Sequence, residues 1–317
     1  MRLNHSFRYL FPAGIIDTFA VICLAMLPLP GAAQVSRDCA PGVELRLSSP
    51  KSSQGSLLLV EVRSSAPLAE LKGAWAGQAL PFWRDDGPDD SRNGSHEDVR
   101  RALIGVDLQR PAGKYDLQLS AQAESGERVR CGAVVAVKAG RFANERLRVA
   151  PKFVEPSPEE LKRAEQERQR LRETFARVTP ERLWQGHFRL PLDGARTAGN
   201  FGRRRILNGQ PGSPHSGADF PAAAGTPVHA AQRGRVMLAE ELFFSGNTVL
   251  VDHGLGIYTF YGHLESIGVA AGDVVEAGVV LGRVGATGRA TGPHLHWGLT
   301  VNGARVNPLQ IVTLLGN

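Results

Sequence analysis

Near the C-terminal end of this 317-residue chain two histidines flank a single leucine, His294-Leu295-His296. They open a run with Leu295, Trp297, Leu299 and Val301 at alternate positions, which predicts a β-strand over 294–301. Residues two apart on a strand share a face. Both imidazoles would therefore stand side by side, as two metal ligands or as one ligand beside one acid–base group. Upstream, His215 and Asp219 are four apart, an even spacing that lets both face one side of a strand. One imidazole, one carboxylate and one further histidine make three protein ligands and leave a fourth tetrahedral position for water, the layout of a catalytic zinc site. Bound zinc lowers the pKa of water towards neutrality. An unligated histidine, with its own pKa near neutral, can then carry the proton. His263, in Tyr261-Gly262-His263-Leu264, and one member of the 294/296 pair are available for that task. No cysteine follows Cys131, so a closed cysteine-rich zinc site is excluded from this region. These residues alone leave open which of His294 and His296 is the ligand.

The elements that must position them are short strands. From Trp184 onward, runs at 228–231, 234–240, 247–252, 257–264, 279–284 and 294–301 alternate with glycine-rich turns, predicting an antiparallel, highly turned β domain that ends in a helical piece at 308–315. Ahead of it, runs at 43–47, 57–62, 102–108, 115–121 and 129–137 predict an all-β sandwich. Its Pro111–Leu117 segment resembles the last hairpin of immunoglobulin-like domains. Between the two, Ser157-Pro158-Glu159-Glu160 is a capping signature, and a charged helix with a narrow apolar stripe (Leu161, Ala164, Leu171, Phe175, Val178) runs until Pro180 ends it. The expected organisation is a signal peptide over 1–33, a β-sandwich over 34–150, a helical linker over 151–183 and the histidine-bearing domain over 184–317.

The signal-peptide expectation rests on Arg2 and Arg8, the apolar run Thr18–Leu29 and the small residues Gly31-Ala32-Ala33. An uncleaved leader would make it an anchor instead. Either way the protein would be exported, to the periplasm or the cell envelope. Cys39 and Cys131 then lie in an oxidising compartment, which invites one disulfide tying the terminal strands of the sandwich together. A formal charge of +6 without a basic stripe interleaved with aromatics gives no indication of nucleic acid.

The H-x-x-x-D of His215 and Asp219, the strand histidine His263, and Gly292-Pro293-His294-Leu295-His296-Trp297, in this order, resemble the lysostaphin-type (LytM-like) zinc endopeptidases of peptidoglycan. Asn200-Phe201-Gly202-Arg203-Arg204 resembles the family's F-G-x-R segment, and Asp252-His253-Gly254 its D-H-G turn. The resemblance covers roughly 199–308. It implies a duplicated-hybrid-motif-like β domain, with His215, Asp219 and His296 as zinc ligands and His263 and His294 as catalytic histidines. It matches Arg204 to an arginine that could meet a substrate carboxylate, and Tyr261 is a candidate groove residue. Some members carry an oxyanion-stabilising tyrosine before the first ligand; here 207–212 contains none.

The function this implies is zinc-dependent hydrolysis of peptide bonds in peptidoglycan stems or cross-links, with cell-envelope proteins as further candidate partners. The alternative is an inactive LytM-like activator of a wall amidase, disfavoured because such relatives lose ligands that this chain keeps. A lipoyl- or biotin-carrier fold, suggested by the turn at 269–275, needs a modifiable lysine, and the last lysine is Lys162.

Overall fold

The computed structural model describes residues 35–84, 97–194 and 196–315. The leader expected over 1–33, and His96 with its polar loop, lie outside the described residues. The described chain is mostly β, as the sequence predicts.

Alternating apolar residues build the first half as two five-stranded sheets. One runs Val35–Ala40, Val43–Leu47, Leu57–Ser64, Asp98–Gly105 and Trp83–Arg84 in spatial order; the other runs Lys51–Ser53, Arg128–Lys138, Gly113–Ala123, Leu68–Trp75 and Gln78–Leu80. Leu45, Leu47, Val60, Val62 and Ile104 from the first meet Trp75, Leu117 and Val135 from the second in one buried core. Cys39 and Cys131 are bonded across the two sheets. The expected disulfide is therefore present, as an inter-sheet staple.

The connection between the halves is more structured than a linker. Asn144–Leu147 pairs in parallel with Arg204–Leu207. The helix Pro158–Phe175 then starts with the capping box read from the sequence: Ser157 Oγ accepts from the Glu160 N–H, and the Glu160 carboxylate accepts from the Ser157 N–H. Its packing differs from the expected stripe. Leu161 and Val178 are half exposed, at 53% and 47%, whereas Ala164 and Glu167 are buried. Glu167 earns that position by accepting from Arg163 and from the Phe243 N–H at 2.8 Å. Two satisfied hydrogen bonds make a carboxylate a better contact than leucine at that spot.

The second half is a nine-stranded sheet whose main path runs Gly217–Pro221, His294–Val301, Ile257–Ile267, Gly246–Asp252, Gly234–Leu242 and Val274–Val275. Its buried face carries Phe220, Tyr261, Leu295, Trp297 and Leu299. Leu57, Trp83 and Leu103 of the first half belong to the same core. Trp83 meets Trp184 edge-on at 5.3 Å, and Arg305 holds Asp107 with two nitrogens at 2.8 and 3.0 Å. The halves are thus joined by apolar contact and a bidentate ion pair.

Replacing both Cys39 and Cys131 by serine should destabilise the protein by about 2–4 kcal/mol, because the bridge restricts a long loop in the unfolded chain. Thermal unfolding under non-reducing conditions checks this; an unchanged midpoint would show that the bridge contributes nothing.

Candidate metal centre

Strand register sets the floor of the site. Asp219 stands opposite His296, and His296 stands opposite Gly262 on its other side. One row thus crosses three neighbouring strands. The next row, Ala218, Trp297 and Tyr261, faces the core. His215 precedes the strand and folds back over the row, its N–H donating to Arg203 O at 2.9 Å. The site needs a glycine at 217: a Cβ there would lie 2.7 Å from His296 Nε2.

Three ligand-type atoms converge on this floor. His215 Nε2 is 3.0 Å from Asp219 Oδ1 and 2.9 Å from His296 Nδ1, and His296 Nδ1 is 2.9 Å from Asp219 Oδ1. His215, Asp219 and His296 form the single such cluster among the described residues. Asn200 holds two of them. Its Nδ2 donates to Asp219 Oδ2 at 2.8 Å, its Oδ1 accepts from the Asp219 N–H at 3.1 Å, and its carbonyl faces His215 Nδ1 at 2.9 Å.

The donor set fits a cation. A ring nitrogen facing a carbonyl carries the proton, so His215 Nδ1 is protonated and its Nε2 presents a bare lone pair. That lone pair confronts a carboxylate oxygen and a second imidazole nitrogen. Such a donor set suits a cation at its centre. A second proton on His296 is disfavoured, since burial pushes its pKa down to about 4. Two imidazoles and one carboxylate suit a transition metal rather than magnesium or calcium.

His263 and His294 stand beside the cluster, their rings 4.8 Å apart. His263 reaches the site through a β-bulge. Pairing between the Gly246–Asp252 and Ile257–Ile267 strands slips between Asn247 and Val249, and His263 adopts a left-handed backbone with φ of 62°. Simple alternation would send it to the core with Tyr261; the extra residue turns it outward. His263 Nδ1 faces Thr287 O and His294 Nδ1 faces Gly292 O, both at 2.8 Å. In its neutral form each ring keeps a bare Nε2. Burial, reinforced by His296 and His294, pushes His263 down to about 3, so it is neutral at physiological pH.

The five histidine and aspartate residues singled out in the sequence are thus together; two other candidates are not. Tyr261 is a correction. It is fully buried, and its hydroxyl accepts from the Ala231 N–H at 2.9 Å and lies 3.0 Å from the Thr259 hydroxyl. It cannot line a groove; its neighbour Phe260 does so. Arg204 is exposed, while Arg205 sits 3.6 Å from Asp219 Oδ2. Of the other histidines, His253, at the turn after Gly246–Asp252, is buried and bonded to Arg233 O and Thr259 Oγ1. His229 faces Gly278 O and His187 faces Leu315 O. The groove over the floor is lined by Ser213, Pro214, Arg205, Phe244, Ser245 and Arg289, and the connecting helix contributes Leu171 and Phe175.

Residues 213–308, which carry all five site residues, match the sequence profile of peptidase family M23. This segment belongs to that family.

Among similar proteins, the peptidoglycan DD-endopeptidase ShyC of Vibrio cholerae is 42% identical over 125 residues, which is 39% of this chain and 29% of that protein. The DD-carboxypeptidase/endopeptidase Mpg of Neisseria gonorrhoeae is 42% identical over 97 residues, 31% of this chain and 22% of that one. The matched part thus spans under a third of these curated relatives. A crystal structure of a putative M23 peptidase from Pseudomonas aeruginosa is 29% identical, with a TM-score of 0.60, covering 84% of this chain and 96% of that one. That likeness extends well beyond the M23 segment into the first half.

Asn200 was quoted in the sequence only as part of a motif; its positioning role needed the fold. Asn200→Ala should weaken metal binding about 10–100-fold, the usual effect of removing a group that orients ligands. Competition with a chelating dye checks this, and unchanged affinity would remove Asn200 from the site. Tyr261→Phe should leave metal affinity unchanged and destabilise the fold by about 1–3 kcal/mol, because the buried Ala231 N–H loses its acceptor. Urea unfolding reads that difference.

Proposed function

We propose that this chain is an exported zinc-dependent endopeptidase that hydrolyses peptide bonds in peptidoglycan stem peptides or cross-links. The observation that carries the reading is the convergence of His215 Nε2, Asp219 Oδ1 and His296 Nδ1 within 3.0 Å, with His263 and His294 beside them. Family membership and the names of ShyC and Mpg support peptidoglycan as the substrate. The complete ligand set speaks against the inactive-activator reading.

His215, Asp219 and His296 would hold the zinc. When bound, zinc supplies Lewis acidity and makes water acidic near neutral pH. The rest falls to the chain. His263, kept neutral by burial and oriented by Thr287 O, offers Nε2 as proton acceptor. His294, oriented by Gly292 O, offers a second Nε2 on the same side of the floor, 3.8 Å from Asp219 Oδ1. Once protonated, either ring becomes a donor to the oxyanion or the leaving amine.

His263→Ala should keep its zinc and lose about 10²–10⁴-fold in kcat, the range for a positioned acid–base group. His296→Ala should lose both zinc and cleavage. Both are read by chromatography of a cross-linked muropeptide dimer with metal analysis of the same samples. Full cleavage by His296→Ala would refute the ligand assignment. Wild-type protein with neither zinc nor cleavage would move the function to the amidase-activator reading.

A further inference from the structure

The groove holds two guanidinium groups that the chemistry above does not use. Arg205 and Arg289 line it together with His263 and His296, and they also line the adjoining depression that contains Asp219 and His294. Arg289 is placed rigidly. Its N–H donates to Phe244 O at 2.8 Å, and its guanidinium stacks on the Phe244 ring at 4.6 Å. A guanidinium presents five N–H donors. Among the described residues, no carboxylate or carbonyl accepts from the Arg289 side chain. Arg205 is only loosely paired: its nearest carboxylate contacts are Asp219 Oδ2 at 3.6 Å and Glu145 Oε2 at 3.7 Å, beyond hydrogen-bond distance. Its Nε and Glu145 Oε2 are both buried without a hydrogen-bond partner.

Such an arrangement is costly unless something else completes it. Burial, and then the neighbouring Arg205, push Arg289 down to about 10, which leaves it a cation at neutral pH. Its aromatic shelf holds the guanidinium plane while its edge stays open, the geometry for taking a carboxylate with two parallel N–H···O bonds. With a divalent cation on the floor, Asp219 and Glu145 do not cancel the positive charge of the groove. The missing acceptor is therefore anionic and comes from the bound peptide.

We propose that Arg289, with Arg205 beside it, binds a free carboxylate of the substrate next to the bond being cut. The inference rests on the peptidoglycan reading above and narrows it. In a cross-link made through the amine of a diamino acid, a carboxylate on the carbon bearing that amine is separated from the leaving nitrogen by that one carbon. The groove selects such cross-links over neutral, glycine-only bridges and over stems in which that carboxylate is amidated. Arg289 is a specificity residue; the proton transfers remain with the histidines.

The test uses the full zinc-loaded protein and two matched cross-linked muropeptide dimers, one with this carboxylate free and one with it as the carboxamide. Wild type should cleave the free acid with kcat/KM about 10–100-fold above the amide, the range for a charge-assisted bidentate pair. Arg289→Ala should raise KM for the acid by a similar factor, leave the amide nearly unchanged and so abolish the discrimination, with zinc content intact. Arg289→Lys should restore part of it. Equal wild-type rates on acid and amide would overturn the proposal while leaving the peptidase reading in place. So would an Arg289→Ala protein whose kcat falls equally on both with KM unchanged, since that marks a structural role. Cleavage of neither dimer by zinc-loaded wild type would overturn the peptidase reading and this proposal with it.

Discussion

Two imidazole nitrogens and one carboxylate oxygen stand within 3.0 Å of one another. Much of the surrounding structure serves to enforce this approach. The register of Gly217–Pro221 against His294–Val301 brings Asp219 and His296 level. Asn200 fixes the unused carboxylate oxygen and the outer nitrogen of His215, so neither can turn away. Trp297, Tyr261 and Phe220 fill the opposite face, and the strands cannot slip without exposing them. The rigidity of the core is thereby transferred to the site.

The first half and the connection contribute to the same centre from outside. Glu145, on the strand that pairs beside Arg204–Leu207, stands against Arg203 and Arg205. Phe153 packs on Phe243 and Phe244, and Phe244 supports Arg289. Leu171 and Phe175 close one flank of the groove. The halves share a core through Leu57, Trp83 and Leu103, so these walls are carried on a continuous body.

The chemistry-bearing residues were legible in the sequence where their geometry follows from local periodicity. His294 and His296 are two apart on a regular strand and face one side. His215 and Asp219 meet for a different reason than their even spacing suggested: only Asp219 lies on the strand, and His215 reaches it from the preceding loop. Alternation misled at Tyr261. It shares parity with His263, and the bulge at Gly262-His263 breaks that parity, leaving the tyrosine in the core and turning the histidine outward. The roles of Asn200, Arg205 and Arg289 depend on partners far along the chain, which no local pattern encodes. In the first half, Leu68–Trp75 escaped notice because its Glu70, Lys72 and Gly73 interrupt the apolar alternation, and Val35–Ala40 because it is largely exposed. Both are held by their sheet neighbours rather than by their own propensity.

The central claim is that the triad is completed by a metal and that this completion enables hydrolysis. The direct measurement is a zinc titration of metal-stripped protein while cleavage of a cross-linked muropeptide dimer is followed. The account predicts no cleavage without metal and a linear rise to a plateau at one zinc per chain. Full cleavage by the metal-free protein would contradict it.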